Sequence, residues 1–184
     1  ALLAATSGGL LHAADPPEWT RGAVWYQIFP ERFRNGNPGN DPGRASLNTP
    51  GRVHPDWRIR PWTSSWYDRS GWEKASTPHF YDTVFDRRYG GDLRGVIDRL
   101  DYLADLGVDA IYFNPVFHAD SLPKYDGNLF HHIDPHFGPD PAGDLASMRD
   151  ETDSAYTWEW TAADKLFLEL LREAKARDIR VIID

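Results

Sequence analysis

The densest run of metal-binding side chains lies in Glu31-Arg32-Phe33-Arg34-Asn35-Gly36-Asn37-Pro38-Gly39-Asn40-Asp41. Asn35, Asn37, Asn40 and Asp41 offer side-chain oxygens on a backbone bent by Gly36, Pro38 and Gly39. Hard oxygen donors crowded on a tight loop suit Ca2+, which takes roughly six to eight oxygens at about 2.3–2.6 Å. Asn, Gly and Pro are also ordinary turn formers, so a plain surface turn explains the same residues. Farther on, Tyr89-Gly90-Gly91-Asp92-Leu93 opens an apolar helical pattern. There Asp92 is either a helix N-terminal carboxylate favoured by the dipole or a metal ligand reaching back to the Asn-rich loop. The glycine pair lets a backbone carbonyl approach an ion closely.

A second set of polar residues comes with Lys124-Tyr125-Asp126, followed by His131, His132, Asp134 and His136. An aromatic ring such as that of Tyr125 can stack on the apolar face of a sugar, and a carboxylate such as Asp126 accepts hydrogen bonds from hydroxyls. Three histidines and several Asp suggest zinc, yet no HExxH or comparable helical spacing is present, and the polar rim of a sugar site accounts for them. Trp57, Trp62, Trp66 and Trp72 lie among Arg, Asp and Ser. They suit a carbohydrate surface and equally a small core inside their own loop.

These residues are positioned by a pattern that alternates strands and helices. Ala23 to Phe29 is an aromatic and β-branched run ended by Pro30, which reads as a buried strand. Leu93, Val96, Ile97, Leu100, Leu103 and Leu106 keep the spacing of one amphipathic helix over Asp92 to Leu106, stopped by Gly107. Val108 to Phe113 is the next strand. Thr161 with Asp164 marks a capping box before a helix that carries Leu166, Phe167, Leu170, Leu171 and Ala174, and Ile179 to Ile183 reads as a third strand. A βαβαβ order implies an α/β fold with parallel strands. Helix-to-strand joins are short while strand-to-helix joins run to dozens of residues, so elaboration gathers at the strand ends where such folds build their sites. No GxGxxG follows the first strand, which removes support for dinucleotide binding. Three strands cannot close a barrel of eight, so the chain is expected to be a truncated part of a larger domain.

Composition narrows the partners. The 184 residues carry a formal net charge of -8 and are 41% hydrophobic. That acidic balance argues against a nucleic-acid partner. The absence of Cys excludes disulfides, a thiol nucleophile and Cys-ligated zinc. Residues 1–14, ALLAATSGGLLHAA, resemble the tail of a secretory signal peptide, so a secreted or periplasmic protein is expected, with residues 15–184 as its mature portion. No stretch approaches the ~20 apolar residues of a bilayer span, and no membrane partner is expected.

Taken together, the motifs resemble the α-amylase family, glycoside hydrolase family thirteen, and in particular its neopullulanase, cyclomaltodextrinase and maltogenic amylase group. The resemblance rests on Trp25-Tyr26-Gln27-Ile28-Phe29-Pro30 with Arg32-Phe33, the Asn-rich loop, Gly90-Gly91-Asp92-Leu93, Gly107 to Pro115, and Lys124-Tyr125-Asp126 followed by Ile133-Asp134-Pro135-His136-Phe137-Gly138. It implies a (β/α)8 TIM barrel of which this chain supplies the first three strands and two helices with long βα loops. It also implies a Ca2+ site built from Asn35, Asn37, Asn40, Asp41, the Gly90 carbonyl and Asp92. Tyr125 would stack under a sugar ring with Asp126 beside it. Asp184 matches the first Asp of the family's DxVxNH motif, a supporting position of the active site. The implied reaction is retaining hydrolysis or transfer at α-glucosidic bonds of an α-glucan or maltooligosaccharide, through a covalent glycosyl-enzyme intermediate. The family's nucleophile and acid lie on later strands, so no residue here is assigned as catalytic and the chain alone is expected to be inactive. Two positions depart from the group: Glu31 stands where Asp is usual, and Leu129-Phe130 where an Asp-Tyr pair is common. The competing readings are a non-catalytic carbohydrate-binding module and a nucleotide-binding α/β protein.

Overall fold

The computed structural model describes residues 15–47 and 51–184. The leader-like segment 1–14 lies outside them. All three expected strands form, slightly shorter than their apolar runs: β1 (Trp25–Ile28), β2 (Ala110–Phe113) and, at the C-terminal side, the strand Arg180–Ile183. They make one parallel sheet with β2 in the middle, Gln27 opposite Tyr112 and Phe113 opposite Ile183. Pro30 ends β1 because it has no amide to donate, and its fixed φ starts the short helix α1 (Pro30–Phe33).

The loops carry more structure than their sequence suggests. Between α1 and the first long apolar stripe sits α2 (Gly71–Ser76). The single helix expected over Asp92 to Leu106 is instead two, α3 (Leu93–Ile97) and α4 (Leu100–Asp105). At the break the Arg99 amide bonds the Val96 carbonyl three residues back, and the regular ladder restarts from the Arg99 carbonyl. Leu93, Val96, Leu100 and Leu103 nevertheless stay on one face and are fully buried, so the apolar spacing is kept across the joint. Gly107, at φ +80°, ends α4: its amide bonds the Ala104 carbonyl and the Val108 amide bonds Leu103, a Schellman close that needs the left-handed conformation.

After β2 the chain makes a two-stranded antiparallel sheet, β3 (Phe117–His118) with β4 (Leu129–Ile133), then α5 (Pro141–Ser147). The three-strand expectation missed this hairpin, because a two-residue strand with a register shift leaves no period to read. The second expected helix forms as α6 (Ala162–Lys175), and β5 is then Arg180–Ile183. Its capping box is present: Thr161 Oγ1 accepts from the Asp164 amide at 3.1 Å, and Asp164 accepts from the Thr161 amide at 3.0 Å.

The main core lies between the sheet and these helices. Ile28, Ile111 and Phe113 pack on Leu93, Val96, Leu100, Leu103, Leu166, Leu170 and Ala174. The opposite sheet face, which carries Trp25, Gln27, Tyr112 and Ile182, is exposed or half-buried. No helix among the described residues is long and apolar enough to cross a membrane.

Candidate functional site

Side chains from the ends of all three parallel strands converge. Asp184 follows β5, and its amide continues the ladder by donating to the Phe113 carbonyl at 3.2 Å. Its Oδ2 accepts the Tyr125 hydroxyl at 2.8 Å. The Asp184 carboxylate beside them raises both the Tyr112 and the Tyr125 phenols above their ordinary pKa. Gln27 of β1 donates to Asn114 Oδ1 at 2.9 Å, and the Asn114 amide bonds the Ile28 carbonyl. Tyr125 is 63% exposed, so its ring is open to a ligand. Tyr125 and Asp184 come together, whereas Asp126 accepts from Ser121 Oγ within its own loop and is not part of the Asp184 contact. Gln27, Tyr112 and Asn114 were missed. Their signal is Gln27, a polar residue inside an apolar strand, in register with Tyr112 on the uncovered face.

Tyr125 is held by what precedes it. Lys124, at φ +57°, sends its ammonium inward to Asp134 Oδ2 at 2.6 Å and to the Ala119 carbonyl at 3.1 Å. Burial pushes the Asp134 carboxyl up, but Lys124 and His118 outweigh it and hold the group well below the usual carboxylate range. The same residue reaches the Asn-rich loop: Asp134 Oδ1 accepts from the His136 amide at 3.0 Å, and His136 Nδ1 meets the Asn40 carbonyl at 3.1 Å.

In that loop the residues chosen for a cation fall into two groups. Asn35 Nδ2 donates to Asp41 Oδ1 at 2.5 Å, and Gly90, at φ +71°, approaches so closely that a Cβ would collide with both side chains. Burial and the nearby Asp92 charge raise the Asp41 carboxyl, against the Asn35 hydrogen bond that lowers it. Asp92 is the N-cap of α3 and accepts from Gly36 N, Asn37 N, Asn40 Nδ2 and Gly95 N at 2.6–3.2 Å. Asp92 thus caps the helix and ties it to the loop after β1, with both of its oxygens already accepting from N–H donors. Asn37 Oδ1 is used locally by Gly39 N. The side-chain oxygens of Asn35 and Asn40 are buried with no partner. Both Asn40 donors face acceptors, Gly138 O at 2.8 Å and Asp92, so its oxygen has to face elsewhere. Each orphaned oxygen belongs to a group that holds a carboxylate, Asn35 with Asp41 and Asn40 with Asp92, and oxygen donors of this kind suit a hard cation such as Ca2+.

Glu31 supports this corner from below. Its Oε1 accepts from the amides of Tyr89 and Gly90, and burial pushes its carboxyl up to about 7 against those bonds and the Arg88 charge. A cavity of about 490 Å³ lies alongside, lined by Glu31, Arg88, His118, Lys124, Asp134 and His136.

The alpha amylase catalytic-domain model matches residues 27–155. The chain belongs to the alpha-amylase family. It is 45% identical over 131 residues to a cyclomaltodextrinase of Geobacillus thermopakistaniensis, covering 70% of this chain and 17% of that protein. It is 43% identical over 140 residues to neopullulanase 2 of Thermoactinomyces vulgaris, covering 76% and 18%. The type III pullulan hydrolase of Thermococcus kodakarensis superposes with a TM-score of 0.58 at 31% identity, over 91% of this chain and 23% of that one. The chain therefore spans under a fifth of the length of the two curated relatives, and its fold is that of the alpha-amylase catalytic domain, a TIM-barrel family.

In this alpha-amylase-family chain Trp57, Trp62, Trp66 and Trp72 serve mainly the packing of their own loop. Trp57 and Trp72 are buried with Leu47 and Val53 in a second small core. Trp66 stacks on Tyr89, and Arg34 lies over Trp62. Beneath them Glu73, fully buried, bonds Arg87 and Arg60, and Arg87 also donates to the Trp66 and Asp68 carbonyls. The loop is thus a rigid wall held by a buried ion network.

Proposed function

We propose that this chain forms part of the sugar-binding rim of a retaining glycoside hydrolase that acts on α-glucosidic bonds in starch, pullulan, cyclodextrins or maltooligosaccharides. The observation that carries it is the Tyr125–Asp184 contact at the strand ends, an open aromatic ring fixed to a carboxylate. In this reading the Tyr125 ring supports one face of a glucosyl unit, while Asp184, Asn114 and Gln27 order its hydroxyls. Lys124, buried against Asp134, keeps the loop from swinging Tyr125 out of line. The exposed Phe130, edge-on to Phe117, gives this rim an apolar edge. The uncovered sheet face is the barrel interior, and the partial barrel is completed by further strands that bring the catalytic carboxylates. Asn35, Asn40, Asp41 and the Gly90 carbonyl hold Ca2+, which neutralises the Asp41 and Asp92 charges and stiffens the loop after β1. A separate carbohydrate-binding module has less support, because Trp57 and Trp72 are not free to meet sugar.

The test is reducing-sugar release from starch, pullulan and cyclodextrin by the full-length protein, wild type against Tyr125→Ala. Activity on at least one of these, strongly reduced in the variant, is expected. No activity on any α-glucan, or full activity in the variant, overturns the reading.

A further inference from the structure

The His-rich stretch holds a feature that the sugar site does not use. We propose that His131, His132 and Glu151 form a Zn2+ site that staples β4 to the segment between α5 and α6. His131 Nε2 and His132 Nε2 both point at Glu151 Oε2, at 3.1 and 2.7 Å, and the three ligand atoms lie within 4.8 Å of one another. Bonds of about 2.0–2.2 Å to a tetrahedral ion put ligand atoms roughly 3.4 Å apart, so each of the two His–Glu separations would open by under about 1 Å.

The surroundings are built for coordination. His132 Nδ1 meets Asp164 Oδ2 at 2.8 Å, the carboxylate–histidine pairing that fixes a ligand's tautomer and leaves Nε2 for the metal. Asp164 is itself fixed by the Ile133 and Thr161 amides, at 2.8 and 3.0 Å. Glu151 commits Oε1 to the Glu159 amide at 2.9 Å and keeps Oε2 for the ion. The His131 ring is stacked on Trp158, 3.9 Å between centroids and 15° from parallel. His132 and the Glu151 side chain are buried, while His131 is partly open, so water can complete the coordination. Two imidazoles with one carboxylate select Zn2+ over Ca2+, which prefers oxygen alone. Sequence spacing hides the site, because its third ligand is nineteen positions beyond His132.

The test is calorimetric titration of the metal-stripped full-length protein with Zn2+, together with the visible spectrum of its Co2+ form. One Zn2+ per chain and the absorption bands of four-coordinate Co2+ are expected. His131→Ala and Glu151→Gln, chosen because His131 is partly exposed and Gln keeps the shape of Glu, are each expected to weaken Zn2+ binding at least as much as the roughly 10–100-fold seen when only a ligand's support is lost. The Ca2+ response is expected to be unchanged in both, which separates this site from the Asn-rich loop. Absence of Zn2+ binding, or equal binding and Co2+ bands in wild type and both variants, overturns the proposal.

Discussion

Tyr125 contributes two separable effects, a ring face and a hydroxyl bonded to Asp184. Tyr125→Phe removes only the hydrogen bond, worth about 0.5–1.5 kcal/mol, so kcat/KM of the full-length protein should fall by up to roughly tenfold. Tyr125→Ala also removes stacking and should fall further; steady-state kinetics on maltooligosaccharides check the order. At the other cluster, Ca2+ should raise the melting temperature, by the equivalent of about 2.7 kcal/mol at a hundred times Kd. Asp41→Ala should abolish that rise, and a scan with Ca2+ or a chelator reads it directly. At this scale the grouping of side chains was legible: oxygen-bearing residues crowd one bent loop, and Tyr125 stands out as an aromatic beside carboxylates. What stayed hidden were competing local partners, Ser121 for Asp126 and Gly39 for Asn37, and Glu151, which lies beyond any local motif of the histidines.

Elements add their own tests. The Glu73 network pins the loop around α2, and Trp57 and Trp72 report on it by fluorescence. Burial alone would raise the Glu73 carboxyl, but hydrogen bonds from Arg87 and Ser70 overcome it and hold the group below its ordinary 4.5. A carboxyl with a depressed folded pKa stabilises the protein fully above its unfolded value, and that stability is lost as pH falls through the folded value. Tryptophan fluorescence should therefore report loosening of this loop below about pH 4.5. Glu73→Gln should remove that acid step and, by leaving buried arginines unpaired, cost about 3–5 kcal/mol at neutral pH. On the other side of the core, Thr161→Ala should cost about 1 kcal/mol of stability in denaturant unfolding, through loss of the α6 cap. That cap was legible because both partners lie three residues apart. The joint between α3 and α4 was not, since the apolar stripe runs unbroken across it, and neither was the β3–β4 pairing, which depends on residues meeting across a turn.

For the molecule as a whole, the decisive property is one-sided cover. Helices α3, α4 and α6 shield one face of the parallel sheet, leaving Gln27 and Tyr112 on the other beside the strand ends. The apolar run Ala23 to Phe29 reads as a buried strand, whereas Trp25 and Gln27 lie exposed on the open face, because the helices pack on the other side only. Long excursions after β1 and β2 then meet through Lys124, Asp134, His136 and Asn40, which couples the Asn-rich loop to the Tyr125 loop. The account centres on a sugar resting at those strand ends. It is tested most directly by a crystal structure of the full-length protein soaked with maltotetraose. A glucosyl ring lying on Tyr125 with a hydroxyl bonded to Asp184 is the result expected; sugar bound only elsewhere, with the strand ends empty, would contradict it.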